Sequence, residues 1–170
     1  MAEYLLVSEA GELPAYGYFF EDVTNAADIL AKAKSGDLNM CLVNPRAVVD
    51  PFQLQVAVYR AIANRASGTM VTKSIYAEVL FCMSPSTNII DSFRKFGVSE
   101  KDKTLIAITF DKCDGINDII QGKLVPFAET IPKHTDSALV RKLFGIKAEE
   151  SAHSKLVDSI VTRIAAKCIL

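Results

Sequence analysis

The sequence lacks the cysteine and histidine patterns that hold metals. Its four cysteines, Cys41, Cys82, Cys113 and Cys168, are widely spaced with no CxxC pair, and only two histidines accompany them. Structural zinc sites need such ligands in closely spaced pairs, and disulfide frameworks belong mainly to small secreted domains. The spacing therefore argues against a zinc site or a disulfide framework, and it favours reduced thiols inside or beside the core.

The sequence also lacks an excess of charge and any long apolar run. The formal net charge is −1, so no long-range field indicates a nucleic acid or a membrane as partner. No run approaches the roughly 20 apolar residues that a bilayer span needs, and the first residues have no basic region typical of a secretory signal. We expect no membrane partner, and a cytoplasmic and nuclear protein.

The common catalytic motifs are missing as well. The stretch "GINDIIQGKL" has six residues between Gly115 and Gly122, and Leu124 stands where a P-loop needs serine or threonine;. No GxGxxG follows a predicted strand, and no GxSxG elbow occurs;. The sequence therefore predicts a protein that is not an enzyme, with no catalytic residue, no metal and no cofactor.

What the sequence does contain is a strong helix signal in "NPRAVVDPFQLQVAVYR" (44–60). Asp50 can cap a helix with its carboxylate, and Pro51 suits the first helical position, where its missing N–H loses no partner. The following apolar residues share one helical face: Leu54, Ala57, Val58, Ala61 and Ile62;. Phe52 and Val56 widen this face, so the helix is either deeply buried or apolar on two sides.

The remaining pattern alternates short strands with amphipathic helices. Strands are predicted at "EYLLVS" and "YGYFFE" as an antiparallel pair, at "TLIAITF" (104–110), and at "KLVPFAE" with Pro126 disrupting its end;. Helices are predicted from Thr24, from Asp50, up to Ser84-Pro85, from Thr87 or Asn88, over 116–120, from Thr135 or Asp136, and over 151–167 with Lys167 pointing outward;. The result is one mixed α+β domain over residues 1–170, with a small, mostly antiparallel sheet covered by several helices.

Two sets of residues are candidates for partner contacts. Some apolar side chains exceed what a core of this size needs, and they either complete the core or form a patch that another protein covers: Phe52, Val56, Tyr59, Tyr76, Ile169 and Leu170;. Arg60, Lys73 and Lys95 either belong to solvated faces or contact RNA phosphate;.

An alternative hypothesis is a small-molecule-binding or enzymatic α+β domain. It would use a pocket near Glu78, Asn88 and His134, whose carboxylate, amide and imidazole groups could bind a polar ligand;. A structure that gathers these groups in one deep pocket would support it.

Several stretches together resemble one known family. These are "DVTNAADILAKAKSG" (22–36), "LVNPRAVVDPFQLQVAVYRAI" (42–62), "KSIYAEVLFCMSPSTNIIDSFRKFGVS" (73–99) and "SKLVDSIVTRIAAKCIL" (154–170). Their order and content are similar to those of the TPRKB family, the small kinase-binding subunits of the KEOPS complex.

The resemblance implies helices on a small sheet, no catalytic activity and binding to the N-terminal lobe of the PRPK-type atypical kinase. It further implies an assembly with the other KEOPS subunits, among them the OSGEP-type subunit that transfers a threonylcarbamoyl group to the adenosine beside the tRNA anticodon. Members of this family type can also hold the CCA end of tRNA.

Overall fold

An antiparallel sheet separates two hydrophobic cores in the computed structural model, which describes residues 4–7, 14–151 and 155–167. The strands within these residues are β1 (Tyr4–Val7), β2 (Ala15–Glu21), β3 (Cys41–Val43), β4 (Leu105–Thr109) and β5 (Lys123–Val125). Their order is β1-β2-β4-β3, and β5 also pairs with β2. Because β1 pairs with the start of β2 and β5 with its end, these two strands share one edge of β2.

The alternation of side chains along the strands creates the two cores. In the register of β2 with β4, Phe19 lies opposite Ile106 and Phe20 opposite Leu105. Phe19 and Ile106 point into the larger core, whereas Phe20 and Leu105 point into the smaller one. Since successive side chains of a strand face opposite sides, central strands that carry large apolar side chains on both faces need cover on both.

Helices provide that cover. They are α1 (Ala26–Ser35), α2 (Pro51–Ala66), α3 (Ile75–Met83), α4 (Ile89–Phe96), α5 (Ile116–Ile119), α6 (Phe127–His134), α7 (Ser137–Phe144), α8 (Ala148–Ser151) and α9 (Leu156–Ala166). The helices α1 and α5 pack on the smaller core, while α2, α3, α6, α7 and α9 contribute to the larger one. The predicted α+β class with an antiparallel sheet is confirmed. None of the helices in these residues has the length and apolar character to cross a membrane.

Side-chain caps explain where several helices begin. Asp50 accepts a hydrogen bond from the Phe52 N–H at 2.9 Å, Asn88 from the Asp91 N–H at 3.0 Å, and Asp136 from the Leu139 N–H at 3.1 Å. Each such cap contributes about 1 kcal/mol. The predicted cap at Asp50 is confirmed, and of the alternatives Thr87 or Asn88 and Thr135 or Asp136 the structure selects Asn88 and Asp136.

The sequence reading differs from the structure at three elements. It missed β3, which has only three residues, and it assigned "KLVPFAE" to a strand although β5 ends at Val125 and α6 follows Pro126. Proline cannot donate to a strand ladder but is tolerated just before a helix. The final helix, predicted over 151–167, is observed as α9, which begins at Leu156 after an extended Lys155; residues 152–154 lie outside the described part.

A buried carboxylate organises the connection between α2 and α3. Glu78 accepts hydrogen bonds from the backbone N–H groups of Val71 (3.2 Å) and Thr72 (3.0 Å), from the Thr72 hydroxyl (2.6 Å) and from the Asn64 amide (3.0 Å). Burial alone would raise the pKa of Glu78, but these donors outweigh it and hold the pKa below its ordinary value;. The ionised carboxylate thus holds residues 71–72 against α3.

Substituting alanine for Gly17 tests the contact between β2 and α6. An ideal Cβ at Gly17 would lie 2.6 Å from Cε2 of Phe127, whose buried ring stacks on Tyr4 with centroids 5.1 Å apart. The ring must move, so we expect Gly17→Ala to lower the free energy of unfolding by about 1–3 kcal/mol. Urea unfolding measures this, and Gly115→Ala is the control because its nearest neighbour lies 3.6 Å away. Equal stability of both variants would contradict the packing.

Glu78→Gln tests the buried carboxylate. The substitution keeps the shape of the side chain but turns an amide N–H₂ toward hydrogen-bond donors. We therefore expect the free energy of unfolding to fall by about 1–3 kcal/mol near neutral pH. The folded-state pKa of Glu78 is lowered, so its stabilisation is complete above the unfolded pKa of about 4.3 and is lost as the pH falls through the folded pKa. The difference in free energy of unfolding between the unaltered chain and Glu78→Gln should therefore become smaller as the pH is lowered, as measured by urea unfolding at a series of acidic pH values. A difference that stays constant with pH would contradict this role.

Candidate protein-interaction surface

Polar contacts fix the point where α2 begins. Asn44 accepts a hydrogen bond from the Arg46 N–H at 3.1 Å and starts a 3₁₀ turn, Pro45–Ala47. The fully buried Gln53 donates to the Ala47 carbonyl and accepts from the Val49 N–H, both at 2.9 Å. Sequence reasoning missed Gln53, although its place three residues after the capping Asp50 resembles the spacing of a capping box.

Two opposite faces of α2 carry apolar residues. The inner face is fully buried and consists of Leu54, Ala57, Val58 and Ala61, with α3, α9 and β1 as the neighbouring elements. On the outer face, Phe52 is 47% exposed and Tyr59 is 45% exposed, with the half-buried Val56 between them in helical spacing;. We refer to Phe52, Val56 and Tyr59 as the α2 stripe. All three were predicted partner contacts, and the structure places them together.

The end of α9 is attached to α2 and α3. Arg60 donates from Nη2 to the Lys167 carbonyl at 2.7 Å. The Lys167 ammonium lies 3.4 Å from the ring centroid of Phe81 and donates to the carbonyl of the same residue. That carbonyl belongs to the last turn of α3, the negative end of the helix dipole;. The prediction that Lys167 points outward is wrong, because it is only 7% exposed. Ile169 and Leu170 lie outside the described residues.

Tyr76 lies on another part of the surface. Its half-buried ring packs edge-on against Phe110, with centroids 5.5 Å apart. It lines a shallow cleft of about 240 Å³ together with Leu38, Asn39, Met40, Thr109, Asp111, Lys112, Cys113 and Ile119. Burial, followed by the negative charge of Asp111, raises the pKa of Tyr76 above its ordinary value. No residue of the α2 stripe lines this cleft.

The three predicted RNA contacts lie on different segments. Lys73 is exposed in the connection between α2 and α3. Lys95 lies in the last turn of α4, with Nζ 3.1 Å from Oδ2 of Asp91. Arg60 is half-buried on α2 and holds the Lys167 carbonyl. Two of the three therefore have intramolecular partners.

The alternative pocket near Glu78, Asn88 and His134 is not formed. Glu78 is buried beneath residues 71–72, Asn88 caps α4, and His134 lies 2.8 Å from Glu21 and against the Phe19 ring. None of the three lines the cleft beside Tyr76 or a second shallow cleft, of about 180 Å³, beside Arg163. Each residue performs a separate structural task, which explains why the predicted site is absent from the described part of the chain.

Comparison with known proteins identifies the family of this chain. The family model described as "Kinase binding protein CGI-121" matches residues 20–168. The chain is 35% identical over 154 residues to the EKC/KEOPS complex subunit TPRKB of Danio rerio, covering 87% of each chain. It is 34% identical over 129 residues to the EKC/KEOPS complex subunit CGI121 of Yarrowia lipolytica, covering 74% of this chain and 76% of that protein.

A relative of lower identity is also covered over most of its length. The EKC/KEOPS complex subunit CGI121 of Candida glabrata is 29% identical over 154 residues, which is 85% of this chain and 87% of that protein. The resemblance to the TPRKB family is confirmed by these relatives. Because the family model matches residues 20–168, which include the described helices from α1 to α9, the chain belongs to the CGI-121 family of kinase binding proteins.

Proposed function

We propose that this chain is a non-catalytic subunit of a KEOPS-type complex. It docks on a PRPK-type atypical kinase and thereby supports transfer of a threonylcarbamoyl group to tRNA by the OSGEP-type subunit. Two findings support this proposal: the family is described as kinase binding, and its relatives in fish and yeasts are named as EKC/KEOPS complex subunits.

The α2 stripe is the observation that carries the docking proposal. The helix buries Leu54, Ala57, Val58 and Ala61 in the core and presents two half-exposed aromatic side chains, Phe52 and Tyr59, on its opposite face. Half-exposed aromatic residues are typical anchors of protein interfaces, because they bury a large area at a small loss of side-chain entropy. The rigid start of α2 at Gln53 holds this face in a defined orientation.

The engagement of the ionisable side chains supports a non-catalytic role. Arg163 binds Glu150 through two hydrogen bonds of 2.6 and 2.8 Å, which lower the pKa of Glu150 to about 2. Burial raises the pKa of the Cys41 thiol to about 12, and a protonated thiol is a poor nucleophile;. Together with Glu78 and His134, these groups serve structural contacts.

Titration of the purified chain with the purified kinase tests the docking surface. We expect a complex at micromolar concentration or below, and we expect Phe52→Ser to weaken it by roughly 30-fold, the effect of losing an interface anchor worth about 2 kcal/mol. Isothermal titration calorimetry measures both affinities.

Ile90→Ser is the matched control for Phe52→Ser. Ile90 on α4 is 80% exposed, so its substitution removes a comparable apolar side chain outside the α2 stripe and should leave the affinity unchanged. No complex with the unaltered chain would contradict the proposed function. If Phe52→Ser left the kinase affinity unchanged, the kinase contact would lie on another surface.

We also propose that the chain helps to dock the CCA end of tRNA within the assembled complex. The support is Lys73, which is exposed in the connection that Glu78 fixes. A fixed backbone reduces the freedom that a phosphate contact from this side chain must lose. The net charge of −1 leads us to expect weak tRNA binding by the chain alone.

Lys73→Gln in the assembled complex tests the RNA contact. We expect tRNA affinity to fall a few-fold and the slope of log affinity against log salt to decrease by about one. Filter binding across a salt series measures both quantities. Lys34→Gln is the control, since Lys34 is an exposed lysine on α1, which covers the opposite face of the sheet. Equal effects of the two substitutions would indicate a general charge effect and contradict a contact at Lys73.

A further inference from the structure

Arg60 connects the α2 stripe to the end of α9. It directly follows Tyr59 in sequence and lies one turn after Val56, so it borders the stripe;. Its guanidinium reaches the carbonyl of Lys167 at 2.7 Å, the residue that follows α9. The end of α9 therefore lies beside the α2 stripe on the same side of the molecule.

Lys167 provides a second attachment at the same point. Removing an ammonium group from water is unfavourable unless polar partners replace the water. Here the Phe81 carbonyl accepts a hydrogen bond from Nζ, and the Phe81 ring lies 3.4 Å away. The Lys167 ammonium thus stabilises the C-terminal end of α3, while the backbone carbonyl of Lys167 accepts the hydrogen bond from Arg60;. Three helices, α2, α3 and α9, are joined by these two residues.

We propose that Arg60 and Lys167 are positioning residues that make the α2 stripe and the last turn of α9 one rigid docking surface. This inference rests on the proposed function and adds a second element to its kinase contact. The last turn of α9 presents the exposed Ala165 and the half-buried Ala166, whose small side chains let an apolar partner surface approach the helix backbone closely.

Rigidity is the reason why this attachment matters for binding. A partner that contacts two elements must order them relative to each other, and any residual freedom is lost on binding and weakens the complex. The hydrogen bond from Arg60 removes that freedom in advance. Its contribution to kinase affinity is therefore indirect, through the position of α9, and does not require the guanidinium to touch the kinase.

The experiment compares Arg60→Gln, Arg60→Lys and the control Arg65→Gln in the full chain. Arg65 is an exposed arginine in the last turn of the same helix, outside the stripe. Kinase affinity is measured by calorimetry well below the melting temperature of each variant, where a purely stabilising residue would have no effect on binding. Hydrogen exchange reports the backbone amides of Ile164–Lys167 in the free chain, and filter binding reports tRNA affinity.

We expect Arg60→Gln to weaken kinase binding by about ten-fold, because the end of α9 must then be ordered when the kinase binds. In Arg60→Gln, hydrogen exchange of the backbone amides should be faster at the end of α9 and unchanged in β2 and β4. Arg60→Lys should restore most of the affinity by supplying another cationic donor, and Arg65→Gln should match the unaltered chain.

Three results would overturn the inference. Faster exchange at the end of α9 with unchanged kinase affinity would show that the position of α9 does not matter for docking. Loss of tRNA affinity with unchanged kinase affinity would assign Arg60 to RNA instead. Failure of the unaltered chain to bind the kinase would overturn the proposed function together with the inference, and only this result would do so.

Discussion

Three polar side chains tie α2 to three other segments, and the arrangement of the larger core depends on these ties. Gln53 binds the backbone of residues 47 and 49, Asn64 binds Glu78 on α3, and Arg60 binds the carbonyl that follows α9. Hydrophobic burial supplies most of the stabilisation but little direction. The hydrogen bonds supply direction, because a buried donor or acceptor left without a partner costs about 1–3 kcal/mol. They therefore select one position of α2 among the many that would bury its apolar face.

This arrangement gives polar and apolar residues unexpected roles. Arginine and lysine on a surface helix suggest a nucleic-acid contact, yet Arg60 and Lys167 join helices. Glutamate and histidine suggest catalysis, yet Glu78 holds a loop and His134 pairs with Glu21. The aromatic Phe52 and Tyr59, in contrast, are about half exposed. The polar groups named here are engaged internally and the α2 stripe is exposed, an arrangement that agrees with the proposed binding to another protein.

Local signals made much of the fold predictable from the sequence. The caps at Asp50, Asn88 and Asp136 mark their helices because each acts within three residues of itself. The α2 stripe was predictable for the same reason, since helical spacing alone aligns Phe52, Val56 and Tyr59. The three-residue β3 exists because β4 pairs with it, and the burial of Lys167 depends on Phe81, 86 positions earlier. Such features depend on contacts distant in sequence, which no local pattern encodes.

The near-neutral charge and the proposed tRNA role are compatible if binding is shared among subunits. One lysine contact to phosphate contributes little by itself in physiological salt. A subunit fixed on the kinase presents Lys73 at a defined place, so the contact becomes intramolecular once tRNA is bound elsewhere in the complex. Its effective concentration can then reach the millimolar range, and a weak contact adds usefully to total affinity. By this reasoning a rigid connection through α2 and α9 also favours RNA binding. If the subunit moved freely on the kinase, Lys73 would sample a larger volume and its effective concentration near the RNA phosphate would fall.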